Sequence, residues 1–148
     1  MDVILHLGAH RTGTTTFQDY MCRHKETLEA DGVGFWGPRR TRKGLFSGLM
    51  PGAMVRKSRD PAARAQRRIQ VMLALTEARG VQTLAISDEN MIGSVRGNLR
   101  AQSLYPSIGE RMARFARAFD GKISRVVLCT RSLELYWSSS CAFGVARG

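Results

Sequence analysis

The chain has 148 residues, 23 of them basic and 12 acidic, for a formal net charge of +11. That length suits one domain, 1–148, able to bury about 68–70% of the surface its unfolded chain exposes. There is no apolar run long enough for a membrane span, no basic n-region or small-residue cleavage site in MDVILHLGAH, and no C-x-x-C pairing among Cys22, Cys129 and Cys141; a membrane protein, a disulfide scaffold and a zinc module are disfavoured, and a cytoplasmic protein is expected.

The chain opens on VILHLGAHRTGTTTFQDY, residues 3–20. Val3 to Leu7 is short, apolar and β-branched at its start, as a central parallel strand should be. Gly8 and Gly13 bracket a four-residue turn, and Thr14, Thr15 and Thr16 open a helix. Unpaired N–H groups at a helix start favour an anion by roughly 0.3–2 kcal/mol. With the threonine hydroxyls and Arg11 as further donors, a phosphate cradle is expected here. His6 is expected in the strand and His10 in the loop, within reach of phosphate; neither shares metal-ligand spacing with His24, so no metal site is expected.

The first helix is expected from about Thr14 to Ala30, with Phe17, Tyr20, Met21, Thr27 and Leu28 spaced near 3.6 residues. Asp31-Gly32 ends it, and Val33 to Trp36 makes a short strand. Residues 37–60 lack periodicity and carry seven basic residues, four of them clustered as Arg39, Arg40, Arg42 and Lys43. Such a loop is functional or mobile. Without interleaved aromatics it does not suggest base stacking, so no specific nucleic acid partner is expected; a solvated basic loop and an acceptor or membrane-surface patch stay open. Pro61 suits the first turn of a second helix, running to about Arg79 and burying Ile69, Met72 and Leu73 with Leu75 or Thr76. Val81 to Ser87 is the third strand, residues 93–104 are expected to be irregular, and Pro106 starts a helix through Phe119. Asp120-Gly121 turns into a strand at 124–130, followed by a polar turn and a helix. This alternation predicts an α/β fold, a mostly parallel sheet flanked by helices on both faces.

Three segments carry chemistry. The glycine spacing matches the nucleotide-triphosphate loop G-x-x-x-x-G-K-[ST], but Thr14 stands where that motif needs lysine, which argues against ATP or GTP hydrolysis and against a kinase relative. The string HRTGTTTFQ instead resembles the K-[ST]-G-T-T loop of sulfotransferases that use 3′-phosphoadenosine-5′-phosphosulfate (PAPS). That resemblance implies that Arg11, Thr12, Gly13, Thr14, Thr15 and Thr16 surround the 5′-phosphosulfate. Residues 125–141, RVVLCTRSLELYWSSSC, are similar to the family's R-[DN]-P-x-[DE]-R-x-x-S segment, with Arg131 followed eight positions later by Ser139. The resemblance implies that this pair grips the 3′-phosphate, chemistry that suits a forked guanidinium and a hydroxyl. Ser132 and Leu133 depart from the pattern, and three serines in a row leave Ser138, Ser139 and Ser140 open as the partner.

The third segment is LAISDENMIG. Ligands of open α/β sheets bind at the carboxyl ends of strands, so Asp88 and Glu89 should emerge on the edge that carries the phosphate loop. Sulfuryl transfer needs a base for the acceptor's proton. Several sulfotransferases use glutamate, so the resemblance makes Glu89 the candidate base with Asp88 in reserve; alternatively Ser87, Asp88 and Asn90 cap the next turn. The family likeness thus implies an incomplete P-loop NTPase-like sulfotransferase fold and a transfer from PAPS to a hydroxyl or amine of a small molecule or glycan, without metal. Arg11 in place of the family's lysine keeps the charge but cannot hand over a proton. Sulfotransferase domains continue beyond the 3′-phosphate helix, whereas this sequence ends at Gly148; it is expected to be a truncated copy or to have its open sheet edge covered by an oligomeric partner. A non-catalytic nucleotide- or polyanion-binding remnant of the fold is the alternative.

Overall fold

Alternating burial along the first strand sends Val3 and Leu5 to one face and Ile4 and His6 to the other. The computed structural model describes residues 1–50 and 60–146. Strands β1 (Asp2–His6), β2 (Val33–Trp36), β3 (Thr83–Ser87) and β4 (Ile123–Val127) form a sheet of order β2-β3-β1-β4, every neighbouring pair parallel. The helices are α1 (Thr14–Arg23), α2 (Lys25–Ala30), α3 (Pro38–Arg40), α4 (Pro61–Glu77), α5 (Val95–Ala101), α6 (Ile108–Phe119) and α7 (Leu133–Ala146). The fold class is therefore α/β with an all-parallel sheet.

Val3 pairs with Leu84 and Leu5 with Ile86. These four side chains share a core with Ile69 and Leu73 of α4 and Phe115 and Phe119 of α6. Each fully buried aliphatic or phenyl side chain contributes about 1.5–3 kcal/mol. On the opposite face α1 crosses β1 and β3: the Phe17 ring lies 4.6 Å from His6, and the Gln18 amide donates to the Ser87 hydroxyl at 3.1 Å. Cover thins toward β4, where Val126 and Leu128 are about half exposed, at 51% and 48%. Among the described residues β4 pairs only with β1, and β2 only with β3.

Several boundaries move for identifiable reasons. The helix expected over 14–30 is broken at His24, which adopts a non-helical conformation between α1 and α2. Tyr20, expected on the buried face, is exposed against the His24 ring, and Gln18 takes the inward position because Ser87 and Glu89 lie there to receive its amide. In α4 Thr76 completes the buried face and Leu75 is exposed; the Thr76 hydroxyl is satisfied by the Met72 carbonyl at 2.8 Å. Residues 93–104 are not irregular throughout: Ser94 accepts from the Gly97 N–H at 3.1 Å and starts α5.

The 37–60 segment is structured as far as it is described. Pro38–Arg40 forms a helical turn, Thr41–Leu45 a wider one, and Phe46 and Leu49 enter the core. Residues 51–59 of that expected loop lie outside the described residues, as do 147–148. No helix of the described residues is long and apolar enough to cross a membrane.

Candidate functional site

The loop after β1 is shaped by its backbone. Gly8, Arg11 and Gly13 have φ of 37°, 67° and 83°, in the left-handed region that favours glycine. A Cβ on Gly8 would stand 2.5 Å from the Thr14 Oγ1, so only glycine lets the loop close on α1. The Thr12 hydroxyl donates to the Ala9 carbonyl at 2.6 Å and locks the turn. No side chain caps α1. The Thr14 Oγ1 is buried without a hydrogen-bond partner, an arrangement that costs about 1–3 kcal/mol unless a ligand supplies one.

Backbone pairing joins this loop to the second segment. The Leu7 and Ala9 N–H groups donate to the carbonyls of Val127 and Cys129, each at 2.8 Å. Arg131 Nη1 donates to the Arg11 carbonyl at 2.7 Å, and Arg11 Nε donates to Ser139 Oγ at 2.8 Å. The Arg11 guanidinium also lies 5.1 Å from the Phe143 ring centre. Ser139 is thus the serine of the run that faces the loop. Ser138 donates to its own helix at the Glu134 carbonyl, and Ser140 is fully buried with its hydroxyl unpartnered.

A cleft of about 640 Å³ opens between these groups, with Arg11, Gly13, Thr14, Thr15, Arg131 and Ser139 in its wall. Thr12 and Thr16, expected around the phosphosulfate, are not part of that wall. Thr12 faces its own loop, and Thr16 lies one step further along an exposed side of α1. Opposite stand His10, Arg42, Glu89 and Asn90, together with Arg96 of α5.

The turn after β3 is held by charge rather than by backbone shape. Asp88 is fully buried, accepts from the Asn90 N–H at 3.0 Å and from the Thr41 hydroxyl, and is forked by Arg42 Nε and Nη2, the latter at 2.8 Å. Asp88 is therefore a capping and ion-pairing residue, and Glu89 is the carboxylate that reaches the cleft. Glu89 receives Arg42 Nη2 at 2.9 Å and the Gln18 amide at 3.1 Å. Burial raises its carboxyl, but its own backbone N–H, Arg42 and Gln18 outweigh that and hold it below the ordinary value. Arg42 is in turn raised, its burial outweighed by Asp88 and Glu89.

His10 takes its backbone N–H to the Tyr105 hydroxyl at 2.8 Å. That hydroxyl lies 3.0 Å from Nδ1, and Nε2 lies 3.1 Å from Asn90 Oδ1, a pattern that assigns the ring proton to Nε2. Burial lowers the His10 pKa from its ordinary value, which favours the neutral ring. Asn98 of α5 continues the network, accepting from the Tyr105 N–H at 3.0 Å and donating to the Tyr136 hydroxyl of α7 at 2.6 Å. His6 belongs to the packing instead, with Nδ1 at 2.8 Å from the Ser87 hydroxyl.

Arg96 and Phe143 were not identified from the sequence, Asn90 was named only as a capping residue, and Arg42 only as one of a basic cluster. Phe143 had a signal, one helical turn beyond Ser139 on α7. Arg42 had only a basic cluster around it, within which Arg40 stacks on Trp36 at 4.7 Å. No family model matches the chain, and no curated protein matches it.

Proposed function

We propose that the cleft binds a doubly phosphorylated adenosine and that the protein is a PAPS-dependent sulfotransferase-like enzyme of the P-loop-like type. The observation that carries this reading is the Arg11–Ser139 hydrogen bond, which joins segments 128 positions apart into one anion-binding wall. The buried, unpartnered Thr14 hydroxyl, the uncapped start of α1 and the guanidinium of Arg131 fit phosphate oxygens. The three cysteines are free, which suits a reducing cytoplasm.

In this reading the acceptor oxygen or nitrogen attacks sulfur while the bond from sulfur to the 5′-phosphate oxygen breaks. The electron pair stays on that oxygen, near Arg11 and the α1 amides, and Glu89 takes the acceptor's proton. Glu89 is ionised at neutral pH, and its basicity is reduced while Arg42 holds it. That ion pair favours the second reading, a nucleotide-binding protein without transfer activity.

Calorimetry with adenosine 3′,5′-bisphosphate, AMP, and ATP with magnesium tests the binding step. The bisphosphate should bind at least about tenfold more tightly than AMP, the weight of one charge-assisted contact to the 3′-phosphate. Arg131→Ala should abolish most of that advantage, and Arg11→Ala should weaken AMP and the bisphosphate alike. Equal affinity for AMP and bisphosphate, or an unchanged Arg11→Ala, overturns the assignment. Transfer of labelled sulfate from PAPS then separates the enzyme from the binding protein.

A further inference from the structure

A second cavity, of about 450 Å³, lies beside the first and shares Arg42, Asn90 and Ser94 with it. That volume is in the range of small-molecule pockets. Its wall is mixed: Met50, Ile92 and Pro106 are apolar, Tyr105 and Asn98 offer polar atoms, and Arg111 supplies a cation. Among the described residues no carboxylate stands in that wall.

The two arginines of the cavity differ. Arg42 is neutralised by Asp88 and Glu89. Arg111, half-buried on α6, donates Nε to the Met91 carbonyl at 3.0 Å and Nη2 to the Asn90 carbonyl at 2.6 Å. Among the described residues no carboxylate pairs with it. Two backbone carbonyls therefore fix the guanidinium against the turn that bears Glu89 and leave its charge uncompensated at the cavity wall. A partly buried cation fixed in this way favours an anion.

We infer that this cavity holds the acceptor, and that the acceptor is a small hydroxylated compound carrying a negative charge recognised by Arg111. The inference rests on the sulfotransferase reading, since only then is a second substrate required. It gives the shared wall a purpose. An acceptor anchored by its charge at Arg111 presents its hydroxyl across the Asn90 turn, beside Glu89.

The test uses matched probes in the presence of saturating adenosine 3′,5′-bisphosphate: 4-hydroxyphenylacetate against its amide, and glucuronate against glucose, followed by ligand-observed NMR titration. At least one charged probe should bind about tenfold more tightly than its neutral partner. Arg111→Gln should bring that ratio close to one. Because Arg111 also braces a turn, Ser107→Asp is the independent variant: it places a carboxylate in the cavity wall at the capping position just before α6, where aspartate suits the helix start. It should weaken the charged probe and leave bisphosphate affinity unchanged. Equal binding of charged and neutral probes, or a preference that survives both variants, overturns the inference. Loss of bisphosphate binding in the unsubstituted protein, with the charged probes still held by Arg111, overturns the nucleotide reading and the acceptor role with it, while leaving an anion site.

Discussion

The two sides of the cleft are built on different principles. The loop between β1 and α1 owes its form to backbone conformations, Gly8 and Gly13 with positive φ and the Thr12 hydroxyl folded back on Ala9. The turn after β3 owes its form to a salt bridge, with Arg42 reaching Asp88 and Glu89 across 46 and 47 positions of sequence. A loop held by its own backbone keeps its shape whatever the charge state of its surroundings. A turn held by charge is sensitive to pH and to substitution far away in the chain.

The largest effect should come from removing the centre of the charged turn. Asp88→Ala leaves the Thr41 hydroxyl and the Asn90 N–H without their acceptor and Arg42 with Glu89 alone. Breaking such a buried pair costs about 3–5 kcal/mol, and the lower end applies because the Arg42 side chain is 40% exposed. Urea unfolding should show a midpoint shift corresponding to about 3 kcal/mol; a change below about 1 kcal/mol would mean that the ion pair does not organise the turn.

On the loop side the comparison is between two glycines. Gly8→Ala forces an L-residue into a positive φ, at about 1–2 kcal/mol, and drives its Cβ onto the Thr14 hydroxyl. Gly13→Ala has the same backbone strain but meets nothing within 4 Å. Both should lower stability by about 1–2 kcal/mol, and Gly8→Ala alone should also cost about tenfold in bisphosphate affinity by calorimetry. Equal affinities for the two variants would remove Thr14 from the anion site.

The same division explains what could be read from the sequence. The strand, the glycine–threonine loop and the helix start are local: each residue constrains its neighbours, so Val3 to Thr16 was legible as a unit. So was α4, with Pro61 in its first turn and Asp60 accepting from the Ala63 N–H at 2.9 Å. The described part of 37–60 was not, because Thr41 and Arg42 are placed by Asp88, and Phe46 by Phe115 at 5.0 Å. Helix α5 was missed for a related reason. Gly97 and Asn98 sit in its middle and disfavour helix, and Asn98 is held by partners on two other segments, Tyr105 and Tyr136. Glu89 was expected on the sheet edge that carries the loop and it lines the cleft there, but the guanidinium that lowers its pKa was read as part of a basic loop.

The smallest effect is a change in acid sensitivity. His6 and His10 are both lowered, chiefly by burial, so the unfolded chain binds protons that the folded one does not as pH falls through the ordinary histidine range near 6.5. Stability present above that pH is lost below it. Glu89 is a carboxylate lowered in the folded state, so its contribution is present above the ordinary value of 4.5 and is lost as pH falls through its lower folded value. Thermal unfolding followed from pH 7.5 to 3.5 should therefore fall in two stages. Arg42→Gln removes the guanidinium that holds Glu89 down and should flatten the second stage, below pH 4.5, while the first stage persists, reduced only by the part of the His10 shift that Arg42's charge supplies, because burial is the largest cause at both imidazoles. If both stages persist unchanged in Arg42→Gln, Glu89 is held by Gln18 and the backbone alone, and the carboxylate turn is no more charge-dependent than the loop it faces.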